Sequence, residues 1–382
     1  MKMNTAAAVL ILAASAAIAS AAGVPFAGRP AGDFKHVIVC HEKGRFCGWP
    51  ANNGVWIWGN EILVGFVQAD YAFRDCGHSI SGNAVSLLAR SLDGGETWNI
   101  EDPENFVGDG LEATHPPGTI NFAHPDFAMR IGEDMFFISY DRGRRWLGPY
   151  KLGDFGLETK LTSRTDYLVN AENDCFLFLS TKDPRVEAAL QDRAFCCRTT
   201  DGGKNFEFVS WMTHEPFTIR SVMPSTTRCS QDKLVTALRR RIDVDISGGH
   251  KMRKCWIDVY ESTDNGLSWH FLSQVADTGY SNGNPPSLAR LSDDRIVVTY
   301  GLRGICTKYR YRQHPQGIRA RVSDDGGKTW QREIILRDDA ATWDIGYTRT
   351  VQRPDGKLVT MYYYTTAERP EQHIAATIWK TP

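Results

Sequence analysis

Ser323-Asp-Asp325-Gly-Gly327-Lys-Thr329-Trp330 is the last of five copies of one pattern, Ser-x-Asp-x-Gly-x-Thr-Trp. The others are Ser91-Leu-Asp93-Gly-Gly95-Glu-Thr97-Trp98, Ser139-Tyr-Asp141-Arg-Gly143-Arg-Arg145-Trp146, Thr199-Thr-Asp201-Gly-Gly203-Lys-Asn205-Phe206 and Ser262-Thr-Asp264-Asn-Gly266-Leu-Ser268-Trp269. Successive copies start 48, 60, 63 and 61 residues apart. A motif recurring at a near-constant period marks a repeat architecture. The chemistry of the motif is that of a stiff hairpin tip. Ser and Asp bond the backbone of a tight turn, the Gly takes the positive φ the turn needs, and the aromatic leads into the next strand.

Working outward, each copy sits inside a unit of short strands. Residues 287–337 show the grammar: Ser287-Leu-Ala-Arg290, a Ser292-Asp-Asp turn, Arg295-Ile-Val-Val-Thr-Tyr300, Gly317-Ile-Arg-Ala-Arg-Val322, the box, then Arg332-Glu-Ile-Ile-Leu336. Four strands of four to eight residues per unit predict a propeller blade. The same grammar fits 53–105, 117–155, 163–212 and 221–275. A sixth unit starts at Gly346 and ends one strand short at Trp379, while Phe34–Cys40 is a spare strand at the front. The expected fold is therefore all-β: a six-bladed β-propeller of four-stranded blades, closed by an N-terminal strand that completes the last blade. Closure leaves only short, protected sheet edges.

Bulk properties narrow the function classes. The chain has 382 residues, and its 44 Lys+Arg against 45 Asp+Glu leave no basic excess to neutralise phosphates, which argues against nucleic acid. No apolar run long enough to span a membrane follows the N-terminus. That N-terminus reads as a leader: Lys2, an apolar stretch from Ala6 to Ile18, and the small residues Ala19-Ser20-Ala21. Residues 1–22 are thus expected to be a signal peptide and 23–382 a single propeller domain, secreted or periplasmic. Nine cysteines, an odd number, leave at least one unpaired. Cys175 with Cys197, and Cys40 with Cys47, are candidate pairs, and mostly buried free thiols with one or two bridges are expected. No His/Cys spacing suggests a metal, and no cofactor is expected.

The boxes resemble the Asp box (BNR repeat) of the sialidase superfamily, which joins the third and fourth strands of propeller blades. The resemblance runs directly from about residue 85 to about 335. In such a ring the first strand of each blade starts, and the second ends, at the mouth of the central channel. Polar residues at those two places are Trp49, Asn53 and His78 in blade one, His124 and Asp126 in blade two, Arg164 and Asp166 in blade three, Arg220 and Arg239 to Arg241 in blade four, Asn284 and Arg303 in blade five, and Asp344, Tyr347, Arg349 and Tyr364 in blade six.

The resemblance implies an exported, exo-acting glycoside hydrolase that cleaves a terminal bond in an acidic glycan. Arg164, Arg240, Arg303 and Arg349 are expected to bind the carboxylate of a sialic or uronic acid, since a guanidinium matches a carboxylate bidentately. Asn53, Trp49, Asn284 and Tyr364 are further candidate substrate contacts. Tyr347, at the start of a blade-six strand, matches the place of the family's nucleophilic tyrosine. Sialidases are an exception to the two-carboxylate scheme of glycosidases. His78, His124 and Asp126 are candidates for proton transfer. The chain departs from the family where an arginine is expected: Gly48-Trp49-Pro50 opens blade one and Gly283-Asn284-Pro285 opens blade five. Glu215 is the one loop candidate for a base beside Tyr347. Two other readings stay open, a lyase or hydrolase of rhamnosyl-glucuronate linkages and a non-catalytic glycan-binding propeller.

Overall fold

In the computed structural model each box closes on itself through the same hydrogen bonds. In the first, Ser91 Oγ donates to Asp93 Oδ1 (2.8 Å) and accepts from the Gly95 amide (2.7 Å), while Asp93 accepts from the Thr97 amide (2.9 Å) and hydroxyl (2.6 Å). The Ser/Thr–Asp–Gly lock recurs at Ser139, Thr199, Ser262 and Ser323. The box glycine is fixed by space as well as by its turn. Gly143 has φ +79°, and a Cβ there would meet Leu63 at 2.4 Å. Burial pushes the Asp93 carboxyl up, but the donors from Thr97, Ser91 and Glu96 outweigh it and hold it at about 2.

The structure describes residues 29–382 apart from 31–33, 108–109, 158–159, 163, 184–185, 187–189, 191, 215–217, 247–249, 280–281 and 305–315. Residues 1–28, with the expected leader, lie outside them, as does Glu215. Six antiparallel sheets form the ring. Blade one runs Val55–Trp58, Glu61–Tyr71, Ile80–Ser91 and Asn99–Glu101, with Arg45–Gly48 as an added piece of the innermost strand. Blade four is the longest, Ile219–Arg228, Leu234–Ile246, His250–Ser262 and His270–Gly279. Blade five ends on a two-residue parallel addition, Arg29–Pro30 on Ile334–Ile335. Blade six takes Phe34–Cys40 as its outer strand, with Phe34 opposite Trp379 and Val37 opposite Ala376. The front of the chain thus closes the ring.

Blade two differs from expectation. Among the described residues its sheet has three strands, Ala128–Gly132, Met135–Ser139 and Leu147–Lys151. The missing one is the innermost. In blades one, three and four the box amide bonds a carbonyl in the turn between strands one and two: Gly94 to Asn60, Gly202 to Asn173, Asn265 to Asp232. In blade two the same bond runs from Arg142 to Asp126. Residues before Asp126 are engaged elsewhere: Thr114 bridges Tyr150 on the outer strand of blade two, and the Ile120 and Phe122 amides donate to the Gly202 and Glu172 carbonyls of blade three.

The core lies between blades, and the boxes stitch each blade to the one before. Trp269 donates to Ser210 Oγ (3.1 Å) and Trp330 to Ser273 Oγ (2.9 Å), each on the outer strand of the preceding blade. Cys40, Cys47, Cys175, Cys196, Cys197, Cys229 and Cys255 are free thiols, all buried except the half-buried Cys229, and Cys76 is disulfide-bonded. Cys197 faces Leu177 rather than Cys175, so that candidate bridge is not formed. No described helix is long and apolar enough to cross a membrane.

Candidate active site at the channel mouth

The site is built on a break in the innermost strand of blade six. Between Gly346 and Arg349 the register with Leu358–Tyr364 slips, and Tyr347 takes φ +53°. A left-handed backbone at an aromatic residue is strained by roughly 1–3 kcal/mol and has to be held by its surroundings. Asn284 does this. Its Oδ1 accepts from the Tyr347 amide (2.7 Å) and its Nδ2 donates to the Ile345 carbonyl (3.0 Å). A Cβ on Gly346 would lie 2.2 Å from Asn284, so only glycine fits before the tyrosine. Trp49 (φ +59°) and Met223 (φ +56°) carry the same strain, and both lie at the mouth.

The bulge aims the Tyr347 ring into a ring of cations. Arg239 Nη1 donates to its hydroxyl (3.3 Å), and the Arg303 guanidinium lies 5.4 Å from its ring centre. Burial pushes the phenol up, but Arg239, Arg303 and Arg164 outweigh it and hold it below the ordinary tyrosine value. Arg303 is fully committed: Nε to the Ile345 carbonyl, Nη1 to the Gly283 carbonyl, Nη2 to the Tyr363 hydroxyl and, at 3.5 Å, to Asp344. It is a fixed wall of the site.

Arg239 and Arg130 are different. Both are buried or nearly so. Arg239 contacts Met223, Tyr347 and the Asn282 carbonyl. Arg130 stands between the rings of Phe106 and Phe137 and reaches Asn53 Oδ1 at 3.4 Å. Among the described residues neither pairs with a carboxylate, and the Nε of each is buried without an acceptor. Burial lowers Arg239, and burial with Arg164 nearby brings Arg130 to about 10. Arg164, bonded through Nε to Asn52 Oδ1 (2.8 Å), acts electrostatically on both Arg130 and Tyr347 and so connects the two.

A second group faces this cluster. His78 Nδ1 lies 2.7 Å from Asp344 Oδ1, with the imidazole edge-on to Trp49 at 5.0 Å. Asp344 is buried and also bonded by the Tyr363 hydroxyl and Gln372 Nε2. The His78 side chain keeps 31% exposure, and its Nε2 has no protein partner among the described residues. Trp343 Nε1 donates to the Asp75 carbonyl (2.6 Å) and holds the loop that carries His78.

Several residues expected at the mouth lie elsewhere. His124 and Asp126 sit at the box end of blade two, because the segment before them bonds blade three in place of forming an innermost strand. Asp126 pairs there with Arg142 (2.6 Å). Arg240 points away from the mouth, with its guanidinium over Trp256 and Tyr260 and 3.3 Å from Asp258. The neighbour Arg239, on the opposite face of the strand, is the one that reaches Tyr347. Arg349 is not on the tyrosine's side, since the bulge breaks the alternation. Its Nη2 donates to the carbonyls of Ala51 and Thr165 deeper in the channel. Tyr364 is fully buried between blades five and six, 4.4 Å over Arg337. Tyr363, with the opposite parity, faces the site. Asn284 is fully buried and spends its amide on backbone.

Fold and site together define an Asp-box β-propeller with a tyrosine-and-arginine mouth. The BNR/Asp-box repeat family matches residues 321–332, the fifth box. No curated protein sequence matches the chain. A Dyadobacter fermentans protein of unknown function shares the fold at 18% identity, with 91% of this chain and 99% of that chain covered and a TM-score of 0.64. The chain is also similar to an α-L-arabinanase of Penicillium chrysogenum (14% identity, 91% and 99% covered, TM-score 0.53). A Hadza microbial sialidase is similar at 13% identity (88% and 66% covered, TM-score 0.56). At these identities the likeness is one of fold.

Proposed function

We propose that the chain is an exo-acting carbohydrate-active enzyme that cleaves a terminal glycosidic bond in a glycan bearing a carboxylate, a sialic or uronic acid. One observation carries this reading: Tyr347 and Arg239 touch inside a cation cluster in which Arg239 and Arg130 lack carboxylate partners among the described residues. A buried guanidinium without a counter-ion is costly to the fold. A ligand carboxylate supplies the missing charge and fits the guanidinium fork. The same cations hold the phenol toward its ionised form, which suits it to attack an anomeric carbon.

In this scheme Tyr347 reacts as the phenolate that the neighbouring cations favour, and its oxygen bonds to the anomeric carbon as the glycosidic C–O bond breaks. His78 gives its Nε2 proton to the leaving oxygen, with Asp344 fixing the ring from the Nδ1 side. Water then hydrolyses the tyrosyl glycoside, and His78 takes back the proton. Arg239 and Arg303 offset the charge of the phenolate, so it approaches an anionic sugar with less repulsion than an unpaired carboxylate would meet. Fold alone does not decide activity, and the arabinanase and sialidase neighbours support carbohydrate as the ligand class only by analogy. Export through residues 1–22 belongs to the same proposal.

The test is incubation with sialosides and rhamnosyl-glucuronate oligosaccharides, with product masses measured. A gain of one water on cleavage supports the proposal. An unsaturated uronate product makes the chain a lyase, and an unchanged panel that binds without turnover makes it a glycan-binding propeller.

A further inference from the structure

The ring closes at a seam between blades six and one, and two thiols meet there. Cys40 ends the closing strand Phe34–Cys40, and Cys47 lies in Arg45–Gly48 of blade one. Their sulfurs are 3.6 Å apart in a buried contact. The backbone holds both against the same strand of blade six: Cys40 is opposite Ile374, and the Cys47 amide donates to the Gln372 carbonyl (2.7 Å). A disulfide brings the sulfurs from 3.6 Å to bonding distance, about 2.05 Å. The seam is reachable. Cys40, His41, Glu42 and Gln68 line a surface groove of about 510 Å³.

We infer that Cys40 and Cys47 are a disulfide site that staples the propeller shut at its seam. The geometry gives each sulfur a role. Cys40 faces the groove and meets the oxidant, a disulfide such as oxidised glutathione. Its thiolate attacks one sulfur of that reagent, forming a mixed disulfide and expelling one thiolate. Cys47 then attacks the Cys40 sulfur and expels the second. Two protein thiols lose two protons and two electrons, and one reagent disulfide becomes two thiols. While both sulfurs are thiols, their hydrogen bond and burial push Cys40 up, and the same bond with Gln68 and Arg45 holds Cys47 down against burial; once Cys40 is in the mixed disulfide, Gln68 and Arg45 remain to favour the Cys47 thiolate.

The staple also bears on the mouth. Cys47 is two residues from Trp49, which packs edge-on against His78, and the Gln372 whose carbonyl it bonds donates to Asp344. Cross-linking the seam therefore fixes the segment that carries Trp49 and Asn53.

The sequence makes the test clean, because Lys43 and Arg45 lie between the two cysteines. The protein is treated with oxidised glutathione, alkylated and cut with trypsin without reduction. The expected result is one linked species joining the Cys40 and Cys47 peptides, separable only on reduction. Recovery of both cysteines alkylated, or of a stable glutathione adduct on Cys40 alone, overturns the inference. Melting is then compared oxidised and reduced, in the parent and in Cys40→Ser, with Cys40→Ala in its place where serine prevents folding. Cys76 contributes equally to both proteins. The oxidised-minus-reduced shift should shrink in the variant by on the order of 5 °C. An equal shift in both shows that the seam carries no staple.

Discussion

The two ends of the propeller treat buried arginine in opposite ways. At the box end Arg90 is enclosed by Glu61 and Glu101, each 2.7 Å away, and Arg142 and Arg144 also converge on Glu61. Burial lowers Arg90, but Glu101 and Glu61 more than reverse this and raise it above the ordinary value. At the mouth Arg239 is just as buried, has no described carboxylate, and is lowered. One face is electrostatically finished by the protein. At the mouth Arg303 is finished by Asp344 and Tyr363, whereas Arg239 is left for something anionic to finish. At the mouth unpaired charge coincides with the left-handed backbone of Trp49, Met223 and Tyr347, which is the pattern of a functional site that the rest of the fold stabilises.

The largest effect expected from disturbing the mouth is on chemistry. Tyr347→Phe removes only the hydroxyl and keeps the ring against Tyr363. Turnover of a confirmed acidic substrate should fall by roughly 10²–10⁴-fold, the range for losing a positioned proton-transfer or nucleophilic group, with the melting temperature kept. Full turnover in a folded variant assigns Tyr347 to structure.

Stability sharpens the contrast between the faces. Glu61→Ala strips the buried Arg90 of one of its two partners and should cost roughly 3 kcal/mol in denaturant unfolding. Arg239→Met removes a buried cation that no carboxylate pairs among the described residues, so stability should stay level or rise by about 1 kcal/mol while acidic-ligand binding falls. Similar losses for both variants break the comparison.

Ionisation gives a smaller but specific signal. Ultraviolet difference titration should show one tyrosine ionising below the others. The step should vanish in Tyr347→Phe and move up in Arg239→Met. At the box end the sign is that of depressed carboxyls. Asp93 and Asp325 are held at about 2 against an ordinary 3.8. Their contribution to stability is full above the ordinary carboxylate pKa and is lost as pH falls from there through about 2. Chemical unfolding at pH 5, 4, 3 and 2 should show this decline, and it should be weaker in Asp325→Asn.

Most of the scaffold was legible because five boxes and the turns between short strands are local chemistry, readable from spacing. The spare strand Phe34–Cys40 followed from counting strands in the sixth unit. The site was legible only in part. Tyr347, Arg303, Arg164, Trp49 and His78 stand at the mouth because strand starts and ends are set by the blade grammar. His124 and Asp126 lie away from the mouth because the segment before them bonds blade three in place of forming an innermost strand, and that leaves no mark in a periodic pattern. Arg349, expected among the carboxylate-binding arginines, lies off the tyrosine's side because the bulge at Tyr347 interrupts the alternation of the strand. Arg240 stood for Arg239 because both faces of a blade are buried against neighbours, so parity selects the neighbouring blade and not inside or outside. Arg130 went unseen since the end of its strand was hidden by the same segment.

The most direct test of the central claim is binding of a matched pair by calorimetry: an acidic sugar, such as glucuronic or sialic acid, against its uncharged methyl ester. The acid should bind at least about tenfold more tightly, the ~1.4 kcal/mol expected at minimum from a charge-assisted contact. The preference should disappear in Arg239→Met. Equal binding of acid and ester, or a preference that survives Arg239→Met, would contradict the claim.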